Sequence, residues 1–404
     1  MKFHTTAAHA AAMCMLSAFF QPAAAQGIRE AISGATPLAN ARLRYETVSQ
    51  DNRAQDAHSV TFRLRAGLET APLYDTKLGI EFEWVESLNG QYNSTTNGRT
   101  QFPVVADPQD TELNRLYLTN TSIDSTTLTV GRQRIVYDDA RFIGDVIWRQ
   151  NQQTYDALAI TNQGAGNLTL NAAYVTRVNR IFGPDSVMSP WDTQSVFLNA
   201  AYKTPIGSLT AFAYLLDIDD ALVLSTQTYG ARFTGAQNLQ DVTFKYAVSF
   251  ASQSDYQDNP VAYNAQYFAA ELTAATAGFS ATAGYEALSS DAGVRGFSTP
   301  LATAHKFQGF ADVFLATPDT GVRDLYFKAG YKTKEVGPFS AIGGHIAYHQ
   351  FDADFGGATY GDELDFVVSA KWEAFLFLVK YGSYNARDFA VDTRRLTFDI
   401  NFAY

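Results

Sequence analysis

From Leu38 onward, apolar and polar residues alternate with a period of two, in segments of about ten residues, the length a tilted strand needs to cross a bilayer. The last segment is the clearest. Leu396, Phe398, Ile400, Phe402 and Tyr404 fall on one face, and Arg395, Thr397, Asp399, Asn401 and Ala403 on the other. Val60, Phe62, Leu64, Ala66 and Leu68 likewise oppose Thr61, Arg63, Arg65, Gly67 and Glu69. Leu364, Phe366, Val368, Ala370 and Trp372 oppose Asp365, Ser369 and Lys371. In a soluble β-protein the apolar face is the core; in a membrane barrel it meets lipid and the charged face lines water. Periodicity alone does not choose between them.

Connection lengths favour the barrel, because membrane barrels alternate short turns with long external loops. Short links are expected at Ala71–Asp75, Ser122–Ser125, Asn162–Gly166, Thr204–Gly207, Gly235–Gln240 and Thr333–Pro338. Long ones are expected at Ser87–Asp110, Tyr137–Gln153, Arg177–Asp192, Ser252–Tyr263 and Phe351–Gly361. One segment, His305–Thr317, is then in excess if both termini lie on the same side. Ser289–Gly321 is therefore assigned to a single long external or infolded loop. The predicted fold is all-β: a transmembrane antiparallel barrel of about 18 strands over residues 38–404, with a loop folded into the lumen.

Composition narrows this further. With 22 Tyr and 29 Phe, the aromatic share is 14%, more than a soluble core needs. No apolar run downstream of residue 26 reaches the roughly 18 residues of a membrane helix, which leaves only a closed barrel to span a bilayer. Residues 1–25 read as a secretory signal, with an apolar run from Ala7 to Phe20 and Ala23-Ala24-Ala25 before Gln26, so 26–404 is expected to be one mature domain. The single cysteine, Cys14, lies inside that signal, so the fold must be held without disulfides. A net charge of −11 argues against nucleic acid and means that any anion pathway depends on a local basic patch. No GxSxG, HExxH or GxxxxGK motif occurs. His345 and His349, four apart on a strand, stand about 13 Å apart and cannot share an ion. Neither an enzyme nor a cofactor or metal site is expected.

Two groups of charges are candidates for the substrate pathway. Arg42, Arg44, Arg63 and Arg65 share the inward parity of the first two strands with Glu46 and Glu69; Lys328, Lys371, Lys380 and Arg395 continue it on the closing strands. Such a row binds a passing carboxylate weakly and repeatedly, as conduction requires, or else forms lumen salt bridges; the two roles are compatible. The second group is the insert Gly131–Asp156, in which Arg132, Arg134, Arg141 and Arg149 are interspersed with Asp138, Asp139, Asp145 and Asp156. Guanidinium forks suit carboxylates, and the aspartates are close enough in sequence to hold them.

The stretches GRQRIVYDDARFIGDVIWRQNQQTYDAL, HKFQGFADVFLATPDTGVRDLYFKAGYK and DFGGATYGDELDFVVSAKW with YGSYNARDFAVDTRRLTFDINFAY resemble the alginate-export family of outer-membrane barrels. The resemblance implies a monomeric eighteen-stranded barrel in the bacterial outer membrane. It also implies a lumen narrowed by an arginine-rich constriction selective for an anionic polyuronate. Arg132, Arg134, Arg141 and Arg149 would form that constriction, held by Asp138, Asp139 and Asp145. The implied partners are outer-membrane lipid, an anionic polysaccharide or oligosaccharide and, through the aromatic C-terminal strand, the barrel-assembly machinery. The chain is shorter than the alginate exporter itself, so its plugging loops are expected to differ. The alternatives are a diffusion porin for other small solutes, in which the insert only sets pore size, and a secreted β-sandwich that binds polysaccharide.

Overall fold

The computed structural model describes residues 22–403; the expected signal, apart from residues 22–25, and the terminal Tyr404 lie outside the described residues. A short helix, α1 (Pro22–Ser33), precedes the strands β1 (Thr36–Gln50), β2 (Ala57–Glu69), β3 (Thr76–Ser87), β4 (Asp110–Asn120), β5 (Thr126–Gln133) and β6 (Thr154–Ala165). These are followed by β7 (Leu168–Asn179), β8 (Trp191–Thr204), β9 (Gly207–Leu216), β10 (Thr226–Leu239), β11 (Val242–Asp255) and β12 (Asn264–Thr276). The set is completed by β13 (Phe279–Leu288), β14 (Val322–Val336), β15 (Phe339–Asp352), β16 (Thr359–Trp372), β17 (Phe375–Ala386) and β18 (Thr393–Ala403). Each pairs antiparallel with its neighbours in sequence, and β18 returns to β1 to close an 18-stranded barrel. Closure satisfies the backbone polar groups of every strand within the wall, the condition for crossing hydrocarbon.

The two faces separate as the alternation predicts. Trp84, Trp372 and Phe398 are about 40% exposed on the outer surface, whereas Arg63, Asp365 and Asp399 are at most 3% exposed inside. Ser289–Gly321 contains no strand, since β13 ends at Leu288 and β14 begins at Val322. The expected link Gly235–Gln240 is displaced: β10 runs on to Leu239 and the turn falls at Gln240–Asp241. Gly235 is needed there for space, because a Cβ at this position would lie 2.5 Å from the Tyr246 ring on β11. The glycine marks aromatic packing on the wall and not a break in it.

Long and short connections occupy opposite rims. Three long loops cover or enter the lumen: L2 (88–109), L3 (134–153) and L7 (289–321). L2 has a small core of its own in Tyr92, Phe102 and Val105, packed on Val48 and Ala57 of the first hairpin. L3 and L7 fold into the lumen. Their apolar residues meet inward-facing aromatics of the wall: Phe142 of L3 has the rings of Phe212, Tyr267 and, from L7, Phe297 at 5.0–5.9 Å. Phe314 is set against Phe351, Tyr360 and Tyr384. The aromatic excess therefore has two uses, a lipid-facing coat and an internal core that seats the plug.

Candidate functional site

L3 leaves the wall early, because β5 ends at Gln133 after only 8 residues, following Gly131 at φ +114°. Its return limb is a run of amides docked on the wall at β2 and β3: Gln150 Nε2 donates to Thr61 Oγ1 at 2.9 Å, and Gln152 N donates to Glu83 at 3.2 Å. L3 and L7 are also tied backbone to backbone, Gly144 N to Leu301 O at 2.9 Å and Thr303 N to Ala140 O at 3.0 Å. Only glycine fits at 144, where a Cβ would collide with Thr303 Oγ1. At the L7 tip, Phe310 N donates to Asp365 at 3.2 Å and Ala311 N to Glu363 at 2.6 Å, so two wall carboxylates cap an irregular backbone that would otherwise be buried unpaired.

Ionic contacts then lock the plug. Arg149 of L3 reaches Glu46 and Asp312 at 3.1 Å and Asp107 of L2 at 3.6 Å. Arg44 pairs with Asp399 at 2.8 Å and lies 4.1 Å over the Trp148 ring, while Arg395 bridges Glu46 and Asp312. Three arginines and four carboxylates from β1, β18, L2, L3 and L7 thus form one buried network. Arg141 is likewise buried, on Glu286 at 2.7 Å. Arg65 is held by Glu83 and by the Gln150 carbonyl. Arg134 pairs with Asp145 at 2.6 Å, Asp138 accepts from Asn199 at 2.9 Å, and Asp139 pairs with Arg232 at 2.9 Å.

Of the residues expected on the pathway, Arg132 lies outside it. It is in register with Leu116, shares the outward parity of Val130, and pairs with Asp156 at 2.8 Å on the outer face near the long-loop rim. Parity within β5 itself carries that signal. Arg141 and Arg149 do point inward, but their guanidinium groups are engaged by fixed carboxylates, so they serve as anchors of the plug. Buried ion pairs of this kind specify geometry more than they add stability, and losing one partner is costly. Arg63, paired across the sheet with Arg42, donates to Asn40 and is buried.

The open space begins across the lumen beside β10–β16 and continues under the plug to β1, β17 and β18. A chamber of about 200 Å³ separates the tips of L3 and L7 from the wall of β10–β16, and it shares Glu271, Lys306, Phe310, Lys328 and His345 with a vestibule of about 1040 Å³ towards the short-turn rim. Arg42, Lys306, Lys328, Lys371 and Lys380 line these spaces. Arg42 spends its donors on Asn401 and on the carbonyls of 147–149, and Lys380 on His305 Nε2 at 3.1 Å. Lys306 donates to the Asp139 carbonyl at 2.8 Å. Among the described residues, none of these five cations has a carboxylate within salt-bridge distance. Sequence reasoning misses Lys306 and Arg232; the available signal for Lys306 is its place in a loop that parity excludes from the wall.

The family model for alginate export matches residues 36–291. The chain belongs to the alginate-export family. It is an outer-membrane channel of the bacterial cell envelope, with its long loops external and its short turns periplasmic. Among solved structures, Pseudomonas aeruginosa OpdO is similar at TM-score 0.71 and 13% identity, covering 93% of this chain and 99% of that one. Acinetobacter baumannii OccAB4 is similar at TM-score 0.69 and 14% identity, covering 92% and 98%. P. aeruginosa OpdK, solved with vanillate, is similar at TM-score 0.67 and 13% identity, covering 91% and 98%. No curated protein matches the sequence.

Proposed function

We propose that this chain is an anion-preferring channel for short acidic saccharides of the oligouronate type. The observation that carries the reading is the division of the lumen. The plug arginines Arg141 and Arg149 are neutralised by carboxylates, whereas the cations along the open path have no carboxylate partner among the described residues. Lysine suits that path, because a hydrated point charge attracts a carboxylate without the bidentate grip that would retain it. The family's description, alginate export, supplies the substrate class. Bilayer recordings of the folded barrel in a KCl gradient test the reading. Anion-selective reversal potentials are expected, with current block by galacturonate oligomers that strengthens with chain length. Cation selectivity without block rejects it.

A second reading has its own support. The narrow chamber suits single-ring acids, and OpdK, similar in fold, was solved with vanillate. A porin for small monocarboxylates would be blocked equally by monomer and trimer.

A further inference from the structure

We infer that the chamber beside the L7 tip is a single-occupancy carboxylate subsite whose donors are Lys306 and Lys328, and that solutes pass it one acidic ring at a time. This rests on the channel reading above and locates its selective step away from the arginine insert. The chamber's five acids each have a partner: Asp139 with Arg232, Glu286 with Arg141, Asp324 with His349 at 2.9 Å, Glu271 with the Tyr326 hydroxyl at 2.8 Å, and Asp365 with Phe310 N at 3.2 Å. Its lysines are not neutralised. Lys306 is steered by the Asp139 carbonyl, and Lys328 Nζ lies 4.4 Å over the Tyr326 ring. Gln308, on the chamber wall, has an amide nitrogen buried without a hydrogen-bond partner among the described residues.

Part of the facing wall is built from small side chains. Ala247 and Ser249 of β11, Ala269 of β12 and Ala347 of β15 all line the chamber. These residues leave a slot between the barrel and Phe307 and Phe310 of L7. A single uronate ring fits such a slot with its carboxylate on the two ammonium groups, one neutralising contact per solute. A second carboxylate would meet the first by like-charge repulsion, so occupancy is limited to one.

The test titrates monomeric galacturonate against the ion current of the full barrel, with heat-modifiable mobility confirming that each variant is folded. Wild type is expected to show block that saturates as a single site. Lys306→Gln with Lys328→Gln should raise the half-blocking concentration roughly tenfold, the loss of about one charge-assisted hydrogen bond. Ala269→Leu, which fills the slot and leaves both lysines, should lower the current and abolish the block while anion preference persists. If block is unchanged in both variants and wild type prefers anions, the subsite is wrong and the channel reading stands. If wild type shows neither block nor anion preference, the channel reading itself falls.

Discussion

His305 shows how one side chain can hold the plug. Lys380 can only donate, so His305 Nε2 must accept from it, which places the imidazole proton on Nδ1, donating to Asp312 at 2.6 Å. Burial, with Lys380 alongside, pushes the imidazole down to about 3 against the pull of Asp312. Burial would raise the Asp312 carboxyl, but His305, Arg395 and Arg149 together hold it well below the usual range. Both shifts make the seated loop weaker in acid. A released L7 would protonate His305 near its ordinary pKa of about 6.5, so the latch is at full strength above that pH and loses up to about 1.4 kcal/mol per unit as pH falls towards 3. The Asp312 contribution is present above about pH 3.9 and lost below it. Acidification from about pH 7 to 4 should therefore bring larger, noisier openings in single-channel records, and His305→Gln should flatten that dependence. A wild-type conductance pattern constant over the whole range would exclude His305 as a latch.

At the scale of the element, the strands are legible because each reports its own environment: alternation over about ten residues fixes which side chains share a face. Cysteine at Phe398 should accordingly react with lipid-soluble reagents and cysteine at Asp399 with water-soluble ones; reversed labelling would contradict the register of β18. Even the strandless nature of 289–321 follows, through the even strand number. Arg132 escapes a reading by composition, which groups it with the loop that succeeds it, although Leu128 and Val130 give it outward parity. The partners of Arg149 are beyond any local pattern. Glu46, Asp107 and Asp312 come from β1, L2 and L7, far apart in sequence, and only the folded plug brings them together. The same holds for the chamber, whose width depends on four small residues on three strands meeting opposite one loop tip.

At the scale of the whole molecule, a chain of net charge −11 lines its chamber and vestibule with cations that have no carboxylate partner among the described residues, and these and the anchored plug should respond differently to mutation. Asp312→Asn removes the carboxylate shared by Arg149, Arg395 and His305 and leaves two buried guanidinium groups under-compensated, a loss of about 3–5 kcal/mol. Moving the L7 tip out of the lumen lets water reach those groups and relieves the deficit, so higher conductance and weaker ion preference are expected. Lys371→Glu acts on the open sector, where the side chain is exposed in the vestibule and has no salt bridge among the described residues. It should leave conductance within about a factor of two, because nothing packed is disturbed, yet move the reversal potential towards cations. Because this charge works through water, its effect should shrink as KCl is raised from about 0.1 to 1 M and the screening length falls from about 10 to about 3 Å. The change caused by Asp312→Asn is one of shape and should persist at high salt. If both variants lose their effect together in about 1 M KCl, the plug is not an ionic latch and the division of the lumen into an anchored and a conducting sector is wrong.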